Sequence, residues 1–423
     1  MSQTFQDPDC GKSPEQLLAE RTKRFADAYS LKQPDRIPIS LMLGHMLAEM
    51  FPVTRQELYE NPAKAQECLE EAALFFNADA VAGLFGGPAV SRILGDQMTK
   101  WPGYGLNEHG SFQFNEQEFM KADEYDAFIA DPSDYALRKY LPRAFSELKG
   151  LAYMPHTAMW NFGFYNTMNL GAYANPAILS AFEALYKAVQ VTAASVPGMI
   201  AGFQRMAALG FAPGLSLAVM TEAPFDFMSD TLRGMRGIML DMHKRPEKLL
   251  AAMEKNLEFQ LDNAITMANA MHVKEVFIPL HRGSDGFMSI PQFEKFYWPT
   301  LKAMQLRLVE AGLTPVVFYE GVWDERLDYL ADLPKGKTVG MFQNGDIFKV
   351  KKVVGDVMCI SGGMPVSMLT SSAEEVRAWT KRLCEEVGKD GGFVMSANIG
   401  DMEGAKPELV KVWVEATKEY GQY

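Results

Sequence analysis

Cysteine is scarce in this chain. The four present (Cys10, Cys68, Cys359, Cys384) lie far apart among 423 residues and form no CxxC pair. That excludes a disulfide framework and fits a reducing, cytoplasmic compartment. Positive charge is outnumbered: 41 Lys and Arg face 53 Asp and Glu, a formal net charge of −12. A nucleic-acid partner is not expected, because a phosphate backbone calls for a basic face. No apolar run reaches 18 residues, so no membrane span is expected. The opening MSQTFQDPDCGKSPEQ has no basic start followed by an apolar stretch, so a secretory leader is not expected. GLFGGPAV (83–90) is glycine-rich yet matches neither GxGxxG nor GxxxxGK[ST]. No GxSxG elbow, HExxH motif, internal repeat or low-complexity tract is found.

What the chain does have is a succession of short apolar runs separated by amphipathic helical patterns. RIPISLML (36–43) and ADAVAGLF (78–85) come first. After residue 210 follow LSLAVMTEAP (215–224), EVFIPLH (275–281), TPVVFYEG (314–321), KTVGMFQNGD (337–346), DVMCISGGMP (356–365) and GFVMSANIGD (392–401). Parallel strands buried on both faces read as continuous apolar runs, and βα alternation implies a parallel sheet. Eight such runs predict an α/β fold closed into a TIM (β/α)8 barrel, with 1–423 as one domain; an open doubly wound sheet is the alternative. Residues 88–213 break the rhythm, with aromatic and glycine-rich stretches such as WPGYG and MWNFGFYN. They read as an insertion forming a lid over the barrel mouth.

In a barrel of this kind, chemistry is expected at the carboxyl ends of the strands. His281 closes its run, Glu320 closes PVVFYE, Asn344 and Asp346 end the fourth late run, and Asn398 lies in the last. A carboxylate ending an apolar strand is costly to bury alone, so Glu320 should ligate, move a proton or join an ion pair. His281, Glu320 and Cys359 offer an N/O/S set for a catalytic zinc, although a Cys inside an apolar run also serves as a small core residue. Catalytic candidates are therefore Glu320, His281 and Asp346, with a helix cap as the other reading of Asp346. Trp160, Tyr165, Glu222, Asn344, Trp323 and Asn398 are the substrate-binding candidates, the aromatics offering flat apolar walls.

Three segments carry a resemblance. ERTKRFADAYSLKQPDRIPI, FMSIPQFEKFYWPTLKAM and DIFKVKKVVGDVMCISGGMPVSMLTSSAEEVR resemble the uroporphyrinogen decarboxylase-like superfamily, which includes cobalamin-dependent methyltransferases. The decarboxylases carry an arginine-containing motif after strand one, whereas ISLMLGHMLAEMF has no arginine from Ile37 through Thr54. Without that cation a multiply charged tetrapyrrole loses its anchor. NIGD stands where the family has a glycine-histidine turn. The methyltransferase branch often carries a zinc-binding HxCG after strand five; here Phe318 and Glu320 occupy the His and first Cys positions, and Asn398 or Ile399 replaces a later Cys.

The resemblance implies a methyltransferase of the O-demethylase type. It would move a methyl group from a small methylated donor, such as a methoxylated aromatic, to the cobalt of a corrinoid (cobalamin) carried by a partner protein. Zinc is the metal it implies. The alternative is a decarboxylase of a smaller carboxylic acid, with Asp346 or His281 as proton donor. A non-catalytic corrinoid carrier is disfavoured, since the cobalt-ligating DxHxxG pattern is absent. The sequence leaves the oligomeric state open, a homodimer included.

Overall fold

The computed structural model describes residues 5–157, 163–214, 218–398 and 401–423. Seven of the eight apolar runs are strands: β1 (Ile39–Met42), β2 (Ala80–Ala82), β3 (Glu275–Leu280), β4 (Thr314–Tyr319), β5 (Val339–Phe342), β6 (Cys359–Met364) and β7 (Phe393–Ala397). All neighbours pair in parallel, in the order β2-β1-β7-β6-β5-β4-β3. The remaining run, 215–224, contributes one parallel bridge from Met220 to Phe277. There the Phe277 N–H donates to the Val219 carbonyl (2.9 Å) and the Thr221 N–H to the Phe277 carbonyl (3.0 Å). On the other side, the Ala212 N–H donates to the Asp79 carbonyl just before β2 (2.9 Å). Described residues before and after 215–217 thus border the two edge strands of the sheet, and the fold is a TIM-like α/β barrel.

Strand side chains alternate between two faces. On β3, Val276, Ile278 and Leu280 are buried against the helical layer, while Phe277 and Pro279 face the lumen. The lumen core comprises Ala80, Val316, Val339, Cys359 and Val394, with Phe277 and Met341 half-buried beside it. Phe25 and Ala28 of α1 (Pro14–Tyr29) plug its amino end. Ser13 opens α1 with a capping box: it accepts from the Gln16 N–H, and Gln16 reaches back to the Ser13 N–H.

Buried charges lie beneath that plug. Asp79 accepts from Arg24 (2.6 Å) and from both terminal nitrogens of Arg36 (2.7 Å). Asp9 meets Arg21, Arg36 and Lys418. These cations hold the Asp79 and Asp9 carboxyls below their ordinary values despite burial.

The interruption after β2 contains a small three-stranded sheet (Thr99–Pro102, Gly105–Leu106, Gln113–Phe114) and several helices. It ends in a 33-residue helix, α2 (Pro176–Ala208). No helix among the described residues is long and apolar enough to cross a membrane.

Candidate active site

Because every strand pair is parallel, all carboxyl ends meet at one rim. His281 directly follows Leu280 of β3 and shares the lumen-facing parity of Phe277 and Pro279. Glu320 directly follows Tyr319 of β4 and continues the parity of Phe318. The two converge: His281 Nε2 lies 3.6 Å from Glu320 Oε1. Below them Phe277 and Phe318 stack at 6.5 Å between ring centroids, giving the site an apolar floor.

Three further carboxylates complete the cluster. Glu222 ends the stretch that bridges to β3, and Pro224 then starts a helical segment that widens into i→i+5 turns over Phe227–Arg233. Asp226 and Asp230, four residues apart, face the same way on it. Asp226 is fully buried and accepts from the backbone N–H groups of His281 (2.9 Å) and Arg282 (3.0 Å) and from the Tyr297 hydroxyl (2.6 Å). Asp230 hydrogen-bonds His281 Nδ1, and its other oxygen accepts from Arg282 (2.8 Å). One carboxylate therefore fixes the loop backbone, and the next sets the imidazole's orientation.

Burial acts in opposite directions on the acids and on the imidazole here. Burial raises the Glu222 carboxyl, and the Asp230 and Asp226 charges add to it, reaching about 8. Burial likewise lifts Asp226 to about 6, although His281 opposes it. Glu320 is raised as well, chiefly by burial. For His281 burial disfavours the charged ring, but the Asp230 hydrogen bond and the Asp226 and Glu320 charges outweigh it, raising the ring to about 9. Asp230 is lowered, since His281 and Arg282 overcome its burial. At neutral pH the site therefore holds two protons that can move, one on Glu222 and one on His281.

Other expected site residues fall elsewhere. Cys359 is the first residue of β6, not the last, and is fully buried. It is in register with Val339, which pairs with Val316, four residues before Glu320. At about 3.3 Å per residue it lies roughly 13 Å below the rim. The expected His281–Glu320–Cys359 zinc set is thus corrected: one ion cannot reach all three. Burial also pushes that thiol upward, away from the thiolate a metal needs. Asp346 caps the helix Ile347–Val354, accepting from the Phe348 (2.9 Å) and Lys349 (3.3 Å) N–H groups, and is exposed. It has no part in the cluster.

Trp323 is fully buried and packs against Tyr319, Phe293 and Tyr297, its indole N–H donating to the Glu320 carbonyl (2.8 Å). It positions the Glu320 turn and presents no face to a ligand. Asn398 accepts from the Gly363 N–H (2.8 Å), Asn344 is exposed beyond β5, and Tyr165 is exposed on the helix Gly163–Gly171. Trp160 lies outside the described residues. The residues joined at the site are His281, Glu320 and Glu222. Asp226, Asp230 and Tyr297 were not among the sequence candidates; the four-residue spacing Glu222–Asp226–Asp230 was the available signal.

Gly283, in the loop after β3, lies against the buried Tyr297 and Trp323 rings, where a Cβ would come within 3.0 Å of both. A second imidazole follows β1. Buried His45 bonds Asp401 through Nδ1 (2.5 Å) and the Tyr59 hydroxyl through Nε2 (3.0 Å), so both ring nitrogens are engaged. Among the described residues, two groups of side chains have the proximity to hold a cation: His45 with Asp401 and Glu403, and Glu222 with Asp230 and His281. The second is made of oxygens and one nitrogen, a harder donor set than a thiolate zinc centre.

A parallel barrel with perturbed acids gathered at its carboxyl rim defines the class of TIM-barrel proteins whose loops carry chemistry. Residues 171–420 match the uroporphyrinogen decarboxylase (URO-D) family, and the chain belongs to it. It is 28% identical over 116 residues to the uroporphyrinogen decarboxylase of Methylococcus capsulatus, covering 27% of this chain and 33% of that protein. It is 25% identical over 146 residues to that of Alcanivorax borkumensis, covering 32% and 39%. The matches thus span little more than a third of these relatives' length. A methyltransferase from Methanosarcina mazei superposes over 95% of this chain and 98% of its own, with a TM-score of 0.60 and 15% identity, a likeness of fold.

Proposed function

We propose that the chain is a methyltransferase that removes a methyl group from a small methyl ether, such as a methoxylated aromatic, and passes it to the cobalt of a corrinoid protein. The observation that supports this most is the convergence of Glu222, His281 and Glu320 above the Phe277–Phe318 floor, with burial and neighbouring charges raising the Glu222 and His281 side chains. Breaking an O–CH3 bond leaves both bonding electrons on oxygen while the methyl goes to the reduced cobalt. A proton from Glu222 or His281 then converts that oxyanion to a hydroxyl, which lowers the barrier to its departure. Asp230 keeps the imidazole in place during this step. The apolar floor would bind an aromatic ring, and the open rim would admit the corrinoid. The His281–Glu320–Cys359 zinc set does not fit.

The alternative, a decarboxylase of a small acid, draws support from the named relatives. The make-up of the cluster weighs against it: four carboxyl groups, Glu222, Asp226, Asp230 and Glu320, face two cationic side chains, His281 and Arg282. Arg36, the arginine that precedes β1, turns to the amino end and binds Asp79 there. A carboxylate-rich substrate would meet repulsion at this rim.

Incubation of the purified protein with cob(I)alamin and a panel of methoxylated aromatics tests the reading. Methylcobalamin should form with at least one donor, in step with the demethylated phenol. No methylcobalamin with any donor, or carbon dioxide release from an acid without a corrinoid, would overturn it.

A further inference from the structure

The middle of the barrel lumen is apolar on one side and hydroxylic on the other. Phe318 is in register with Met341 of β5, and Met341 with Ser361 of β6. The apolar floor under Glu320 therefore continues sideways and ends at a serine. Ser361 and Ser396, both buried, share a hydrogen bond between their hydroxyls (2.9 Å). Ser396 of β7 is in register with Ser40 of β1, and Ser40 with Ala80 of β2. Three adjacent strands thus each present a serine to the lumen.

A narrow cavity opens at this hydroxylic side, lined by Ser40, Met42, Ala80, Ala82, Met341 and Ser396. Its volume of about 30 Å³ holds roughly two water-sized groups, too little for a ring. No Lys, Arg or His lines it. The Ser40 hydroxyl is half-buried and bonds no other described residue. It faces the chain beyond Ala212, since a Cβ built on Gly214 would meet its oxygen at 3.6 Å. A hydroxyl left unpaired in a confined lumen has its donor and acceptor to offer to a ligand.

Resting on the reading of the rim as an ether-cleaving centre, we infer that this cavity selects the substrate: a neutral methoxyarene whose ring carries a small hydroxyl-bearing tail, such as hydroxymethyl. The ring lies on the Phe277–Phe318 floor with its methoxy oxygen toward Glu222 and His281. The tail passes Met341 and ends at the Ser40 hydroxyl. An alcohol both donates and accepts, as serine does, so the two pair in either direction. Size sets the limit, because the cavity takes one carbon and its oxygen and no more. Charge sets the sign. A carboxylate tail would lose its water with no cation to meet it, beside a rim that already carries four carboxyl groups. A methyl tail fits by size but leaves Ser40 unpaired.

Isothermal titration of the full chain, with no corrinoid present, tests this. The probes are methoxybenzyl alcohol, methoxybenzoate and methoxytoluene, each as its meta and para isomers. One alcohol should bind about tenfold tighter than the matching benzoate and toluene, the margin that one neutral hydrogen bond gives. Ser40→Ala removes an oxygen that holds nothing of the fold together. It should erase the preference for the alcohol over the toluene and leave the toluene's own affinity unchanged. A benzoate or toluene bound as tightly as the alcohol, a preference that survives Ser40→Ala, or no binding of any probe would each overturn the inference. The reaction is judged separately, by methylcobalamin formation. Preferred binding of an alcohol that yields none would sink the rim chemistry and keep the selectivity, and methylcobalamin from the benzoate alone would do the reverse.

Discussion

The two ends of the barrel take carboxylates out of solvent with opposite results. At the amino end Asp79 and Asp9 stand among Arg21, Arg24, Arg36 and Lys418, and both are held ionised. At the carboxyl end Glu222, Asp226, Asp230 and Glu320 share His281 and Arg282, and three of the four are raised. The desolvation penalty is common to both ends; the supply of cations differs. Where cations suffice, burial yields a fixed structural lock, and where they fall short, it yields raised acids, of which Glu222 keeps its proton at neutral pH.

Removing the lock should have the largest effect. Asp79→Ala leaves Arg24 and Arg36 buried without their shared partner, and should cost about 3–5 kcal/mol in urea unfolding. Wild-type activity per folded molecule would break the comparison in the expected way, since this end is structural. At the other end, His281→Asn should lower methyl transfer by about 10²–10⁴-fold. Its stability loss should be larger at pH 6 than above pH 9, where the ring no longer holds its proton; activity per folded molecule at the wild-type level would place His281 in the structural class.

Glu222→Gln sharpens the contrast through pH. The folded carboxyl is raised from 4.5 to about 8, so the unfolded chain releases its proton first, and stability falls as pH rises across that window. His281 acts in the same direction: raised from 6.5 to about 9, its contribution is complete below 6.5 and lost as pH rises through 9. Asp79 and Asp9 are lowered, so their contribution is lost as pH falls below the ordinary carboxylate value. The glutamine variant should therefore gain stability over the wild type progressively from pH 5 to 8. It should also lose the alkaline limb of the rate profile near pH 8. Parallel stability curves for the two proteins would refute the raised Glu222. The smallest effect belongs to Asp346→Ala, about 1 kcal/mol from the lost helix cap with no change in turnover.

Much of the frame was legible because buried parallel strands announce themselves as uninterrupted apolar runs, and seven of the eight expected became strands. His281 and Glu320 were legible for the same reason: each is the first polar group after such a run. Cys359 misled because its run, 356–365, is longer than its strand, which starts at the cysteine and so sets the thiol at the wrong end. Trp323 misled because an aromatic after a strand looks alike whether it faces a ligand or props the turn. Asp226 and Asp230 were hidden by their helix, where acids four residues apart ordinarily mark a solvent-facing side.

The crowding at Gly283 bears on how this rim can change over generations. Any codon alteration that replaces the glycine adds a carbon where two immobile rings leave no room. The loop bearing the imidazole is thus closed to gradual drift at that point, and new specificities in descendants of this chain would arise from the other loops around the opening.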